Sequence, residues 1–489
     1  MPAPLPPPMS QALHALCCLT LALLAPLASA ASDTLLLQNA QVVDVEQGTV
    51  QLLDVLVEGD RISALLPPGD GPDGGQRVDL AGRYLIPGLW DMHVHFEGRD
   101  LVEDNALLLP VYLAYGVTAV RDASGSLADT VLQWRGEIAR GERLGPRIFT
   151  SGQKFEGIDS LWEGDREVGN REQMLAGMDE QQELGVDFIK VTENTLPPEL
   201  FLQTVAEAHR RGLLVSTHVP LGLGIFELAE AGLSSIEHAS YLLRLGYIDK
   251  ENVDEETIAR QVRDGRLGTE QANAAYSDHF DQDTANAAYM RLAAAGVAVT
   301  PTLIGGRQLA WLAESDHRED AFLRYLTDDF TAKYQWRIDR MAGETEDQRA
   351  ARKARYNLTA AQVPQLQAAG VTLLAGSDSA ALNTYVYPAQ ALHDELALFT
   401  DAGLSPLHAL QAATINGARF MRLGDDYGSI APGKQADLVV LEENPLEDIR
   451  ATTRIQALVH GGQLYDRAVL DALLEQAAAR KKALEAGTP

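Results

Sequence analysis

Four histidines, an aspartate and a lysine recur at one kind of place in this chain, toward the C-terminal end of a short apolar run. In Trp90-Asp91-Met92-His93-Val94-His95 the two imidazoles stand two residues apart, so on an extended strand they share a face and can hold one cation. Other runs close on Ser216-Thr217-His218, on Ile236-Glu237-His238 and on Ala375-Gly376-Ser377-Asp378. The run Phe188-Ile189-Lys190-Val191-Thr192 buries a lysine among hydrophobes, where an unpaired ammonium is costly. A salt bridge or a tip that reaches solvent would relieve that cost. A third solution is a neutral lysine that takes up carbon dioxide, giving a carbamate able to bridge two cations. Of the 11 histidines, His93, His95, His218 and His238 all sit on expected strand ends.

Ligands on separate strand ends need a fold that brings those ends to one face. Eight strands are expected, at Leu89–His95, Gly116–Ala123, Arg147–Gly152, Asp187–Thr192, Leu214–Val219, Ser235–Ala239, Val297–Leu303 and Val371–Asp378. They alternate with helical stretches, the pattern of a parallel sheet with crossover helices, and eight is the number that closes a (β/α)8 TIM barrel. Helices end in Gly116, Gly185, Gly212, Gly232, Gly296 and Gly370, each placed as a left-handed cap. Two long charged segments, Tyr241 to Ala295 and Ile304 to Ala369, follow the sixth and seventh strands and are candidate lids or substrate walls. At the two ends of the chain, β-rich runs between Thr34 and Leu85 and again from Gly428 to Gly462 predict one small β-sandwich, with Gly59-Asp60 as a hairpin turn. The resulting division is a leader at 1–30, sandwich at 31–86, barrel at 87–424, and sandwich plus C-terminal helix at 425–489.

These residues resemble the amidohydrolase superfamily. The resemblance lies in Leu85-Ile86-Pro87-Gly88-Leu89-Trp90-Asp91-Met92-His93-Val94-His95, in Gly116-Val117-Thr118-Ala119-Val120-Arg121-Asp122, in Ile236-Glu237-His238-Ala239, and in the stretch from Ala412 to Leu438. It implies two divalent cations, zinc being the usual one, which suits nitrogen and oxygen ligands. His93, His95 and Asp378 would hold one cation, His218 and His238 the other, with carbamylated Lys190 between them. Within the superfamily the chain looks like the branch grouped with imidazolonepropionase but carrying the lysine, which includes Xaa-Pro dipeptidases, carboxypeptidase-like amidases and ochratoxin-hydrolysing enzymes. The implied reaction is hydrolysis of an amide bond in a dipeptide or N-acyl amino acid by metal-activated water, with Asp378 as the catalytic proton carrier. Two rivals share these residues: a hydrolase of a lactone, phosphotriester or cyclic amide, and a non-catalytic barrel scaffold. The family also implies a homo-oligomer.

Substrate contacts are expected from Tyr241, three residues past His238, and from Lys154 and Arg307, which could pair with a carboxylate. Arg121 and Asp122 are read as a structural ion pair, and His279 and His317 as surface groups. The net charge of -29 repels nucleic acid and anionic lipid, so the expected partner is a small molecule. The apolar run from Leu16 to Leu27, closing in Ala28-Ser29-Ala30, reads as a signal peptide too short to span a membrane, although no Lys or Arg precedes it. It predicts secretion or a periplasmic location, and it removes both cysteines, Cys17 and Cys18.

Overall fold

The computed structural model describes residues 34–248 and 253–487; the expected leader lies outside them. The N-terminal strands are β1 (Thr34–Asp44), β2 (Thr49–Glu58), β3 (Arg61–Leu66), β4 (Gln76–Asp79) and β5 (Tyr84–Pro87). The central ones are β6 (Leu89–Val94), β7 (Val117–Asp122), β8 (Arg147–Thr150), β9 (Phe155–Glu156), β10 (Arg166–Glu167), β11 (Phe188–Val191), β12 (Leu214–Thr217), β13 (Ser235–Glu237) and β14 (Ala298–Thr300). The C-terminal ones are β15 (Leu438–Leu441), β16 (Ile455–His460) and β17 (Gln463–Asp466).

The two chain ends do meet. Antiparallel pairing of β15 with β5 joins β1–β5 and β15–β17 in one eight-stranded sheet. Alternation along β15 gives this sheet two jobs: Leu438 and Val440 join an apolar cluster of the sheet's own, while Val439 and Leu441 face the main core. The Gly59-Asp60 turn connects β2 to β3 as expected. The passage from β5 into β6 requires Gly88, because a Cβ there would lie 2.1 Å from Thr118 Oγ1.

The central strands are parallel and almost wholly buried, in two sheets of orders β6-β7-β8 and β10-β9-β11-β12-β13-β14. The six expected glycine caps all take positive φ, between 67° and 104°, so one strand-helix device repeats along the chain. The eighth expected strand, Val371–Asp378, departs from the reading: it carries only isolated parallel bridges, Val299 to Leu373 and Val94 to Ser379, and no regular ladder. Its backbone is nonetheless bonded on both sides, Leu374 N–H to Val299 O and Met92 N–H to Ala375 O. The reason for the irregularity is local. Gly376 sits where a Cβ would lie 2.7 Å from His93 Cβ, and Asp378 takes φ 56°.

The long segments are helical. The second contains Leu303–Trp311, Gln335–Met341 and Glu346–Ala368. The C-terminal helix Arg467–Glu485 packs on Val102–Ala114. No described helix is long and apolar enough to cross a membrane.

Candidate metal centre

His93 and His95, at the end of β6, meet Asp378 at the end of the irregular eighth segment. His95 Nε2 lies 3.0 Å from Asp378 Oδ1 and 3.1 Å from His93 Nε2. Just past β12 and β13, His218 Nε2 and His238 Nε2 also lie 3.1 Å apart, and the His93 and His238 rings are 5.1 Å apart. Two ligands on one tetrahedral zinc at about 2.0–2.1 Å stand roughly 3.3 Å from each other, so both pairs have cation-binding spacing.

What aims these nitrogens is the other nitrogen of each ring. His93 Nδ1 is 2.6 Å from Glu237 Oε2, His218 Nδ1 is 2.9 Å from Glu193 Oε2, and His238 Nδ1 is 2.6 Å from Thr302 Oγ1. His95 Nδ1 donates to the Ser124 carbonyl. With Nδ1 tied outward, each Nε2 presents its lone pair to the common centre. The backbone is bent for the same purpose: Ser124, His238, Thr302 and Asp378 are non-glycine residues with φ of 82°, 71°, 49° and 56°. Such conformations cost about 1–3 kcal/mol each and persist only where the surroundings enforce them.

Charge follows burial. Burial pushes His93 down to about 4 and His238 well below its ordinary value, keeping both imidazoles neutral, the form in which a ring nitrogen can hold a cation. Burial opposes ionisation of Glu237, yet Arg121 and His93 hold its carboxyl well below the usual range. Arg121, not exposed at all, donates to both Glu237 oxygens at 2.7 and 2.8 Å. That corrects the expected pair with Asp122, whose carboxylate instead accepts from Thr150 Oγ1 at 2.7 Å. Lys190 Nζ is buried with no hydrogen-bond partner, and burial pushes it down to about 8. It lines the same cleft of about 290 Å³ as His95, His218, His238 and Asp378. An orphaned amine beside converging imidazoles fits a bridging carbamate and two cations.

The substrate residues fare unevenly. Lys154 lines the cleft, but its Nζ is 2.6 Å from Asp165 Oδ1. Tyr241 packs beside His218, its hydroxyl donating to Glu193 Oε1 at 2.6 Å, on the wall of a neighbouring cavity. Arg307 is not brought to the cleft; its guanidinium stacks 3.8 Å from the Trp311 ring centre. His317, expected at the surface, stacks on Tyr385 with ring centres 3.9 Å apart, because Asp320 anchors its Nδ1 at 2.8 Å. Glu237 and Glu193 were missed from the sequence, and Arg121 was assigned the wrong carboxylate. A glutamate and an arginine inside apolar strands each demand a partner, which was the available signal for pairing Glu237 with Arg121.

The model of the amidohydrolase family matches residues 84–464. The ochratoxinase of Aspergillus niger is 24% identical over 484 residues, covering 84% of this chain and 82% of that protein. A dihydroorotase of Geobacter metallireducens is 26% identical over 220 residues, covering 42% of this chain; the match spans about half of that relative, 49% of its length. Among solved structures, a Xaa-Pro dipeptidase with bound methionine in the active site superposes with a TM-score of 0.64 at 21% identity, covering 88% of this chain and 100% of its own. With the family model running from β5 into β17 and the strand-end His93, His95 and Asp378 converging inside that span, the chain belongs to the amidohydrolase family.

Proposed function

We propose that the chain is a metal-dependent hydrolase of amide C–N bonds, acting on dipeptides of the Xaa-Pro type or on N-acyl amino acids, including carboxypeptidase-like and ochratoxin-type amides. The observation that carries this is the convergence of four imidazoles, each tied outward at Nδ1, with Asp378 and the partnerless Lys190 Nζ at the floor of one cleft. The ochratoxinase match over most of both chains, and the superposition on a Xaa-Pro dipeptidase, support the choice of bond. In this reading the parallel strands form a closed (β/α)8 barrel, the end sheet is a β-sandwich, and the chain is exported and assembles with copies of itself.

His93, His95 and Asp378 would hold one cation, His218 and His238 the other, with carbamylated Lys190 between them. Bound there, divalent cations such as zinc supply the acidity that ionises a water near neutral pH and the charge that polarises a carbonyl. Asp378 accepts the proton of the attacking water and delivers it to the departing nitrogen. The water oxygen stays on the acyl carbon as the C–N bond breaks, so the products are a carboxylic acid and an amine. The Asp378 N–H donates to the His93 carbonyl at 2.7 Å and the Ser377 hydroxyl donates to Asp91 Oδ2 at 2.6 Å, which keeps the Asp378 segment against the His93 strand.

The test is hydrolysis of a panel of dipeptides and N-acyl amino acids by metal-loaded protein and by Lys190→Ala. Cleavage that disappears with Lys190 supports the reading. A protein that opens lactones or cyclic amides and leaves every linear amide intact sinks it.

A further inference from the structure

Four cationic side chains line the cleft, and three are accounted for. Lys154 is held by Asp165, Lys333 Nζ lies 2.6 Å from Asp100 Oδ2, and Lys190 belongs to the ligand cluster. Arg337, on the helix Gln335–Met341 of the second long segment, remains. Its Nε donates to Leu382 O at 3.0 Å and Nη2 donates to Asn383 Oδ1, both neutral acceptors. Among the described residues it makes no ion pair within 4.0 Å. Burial pulls it below its ordinary value, while the carboxylates of Asp378 and Glu97, neither of them within ion-pair distance, act in the opposite direction.

Neutral acceptors on two nitrogens fix the orientation of the guanidinium and leave it without a direct ion pair. A planar cation so held in a cleft is suited to a carboxylate, which it meets through paired charge-assisted hydrogen bonds. We propose that Arg337 is the specificity-determining residue of this site and binds a free carboxylate on the amide substrate. This rests on the amide reading above and narrows it to dipeptides and N-acyl amino acids whose terminal carboxyl is unblocked. Neither cationic candidate picked from the sequence fills the role: Lys154 is neutralised, and Arg307 is elsewhere.

A structural role for Arg337 makes a different prediction. Asn383, which accepts from Arg337, donates from Nδ2 to the Asp378 carbonyl. If Arg337 only propped up that chain of bonds, its loss would disturb Asp378 equally for every substrate.

The experiment compares N-benzoyl-phenylalanine with its methyl ester, reading benzoate release by the metal-loaded enzyme, Arg337→Met and Arg337→Lys. Removing one partner of a desolvated ion pair costs on the order of 100-fold. The wild type should therefore favour the free acid by about that factor in kcat/KM, chiefly through KM. Arg337→Met should lose that preference, its kcat/KM on the free acid falling far more than on the ester, while an unchanged melting temperature and metal content certify that the variant is folded. Arg337→Lys should keep part of the preference. Equal losses on acid and ester, or a wild type that does not distinguish them, overturn the assignment and leave the amide reading standing. A wild type that cleaves neither, nor any other linear amide, overturns both.

Discussion

The strand bed and the rim of the cleft are built on opposite rules. In the bed, His93, Glu237 and Arg121 are fully buried, and each charge is met by an opposite charge or a tied imidazole. At the rim, Trp162, Trp336 and Arg337 are partly exposed, and Arg337 meets only neutral oxygens. A buried charge pair tolerates no loss of a partner, so the bed is rigid and its geometry serves the reaction. A rim whose arginine meets neutral oxygens and stays partly exposed serves recognition. The difference teaches that chemistry and selection are separable here, and substitutions in the two regions should fail in different ways.

The largest effect belongs to Asp378. Asp378→Asn keeps an oxygen ligand and removes the proton carrier, so kcat should fall about 1,000-fold. Metal content, measured by atomic emission on the purified variant, should stay near that of the wild type. Parallel loss of metal and rate would mean that Asp378 is a ligand only.

Next come the two carboxylates that orient ligand histidines. Glu237→Gln strands Arg121 without a counter-charge, and about 3 kcal/mol of stability should go with it. Metal affinity should drop 10–100-fold because the His93 ring loses its anchor. Glu193→Gln acts on His218 in the same way, yet Glu193 is 23% exposed and has no buried arginine depending on it, so its stability cost should stay near about 1 kcal/mol. Melting curves and metal titrations of the two variants side by side would check the order. An equal stability cost would mean that burial does not separate these carboxylates.

The helix Gln390–Asp401, outside the bed, offers a pH test. His393, between the Tyr115 carbonyl and Thr452 Oγ1, is pushed down by burial to about 4. Its folded value lies below its unfolded value of 6.5, so above 6.5 it is neutral in both states and its stabilising effect is complete. Between pH 6.5 and 4 the unfolded chain takes up a proton that the folded one refuses, and stability falls, by about 3 kcal/mol in all. Metal-free His393→Gln should show a flatter dependence of melting temperature on pH across that window than the metal-free parent.

What the sequence could and could not foretell follows the same division. The strands carrying His93, His218 and His238 announce themselves through local apolar runs and glycine caps, and their ligands fall at run ends, so periodicity alone places them. The pairing of Arg121 with Glu237 spans 116 residues and depends on which strands face each other across the interior. The left-handed turns at Ser124 and Thr302, which supply partners for His95 and His238, have no residue-type signature. The rim was harder still. Lys154 and Arg337 look alike as surface cations until Asp165 is seen to neutralise one of them. The eighth segment reads as a strand from composition, and only the packing of Gly376 against His93 shows why it cannot be regular.

The smallest effect should come from the rim's aromatic clasp. Trp162, in the loop after β9, meets Trp336 edge to face with ring centres 5.8 Å apart, joining that loop to the helix that carries Arg337. Trp336 is further anchored by its Nε1–H to Leu382 O at 3.0 Å, so the loop is the looser partner. An edge-to-face pair of this kind contributes about 1 kcal/mol. Trp162→Ala should raise KM for an N-acyl amino acid a few-fold, because Arg337 is less firmly placed, while kcat and metal content hold steady. In a double-mutant cycle with Trp336→Ala the coupling in kcat/KM should be of that same size. A fall in kcat instead would tie the clasp to the bed, and the separation of selection from chemistry would not hold.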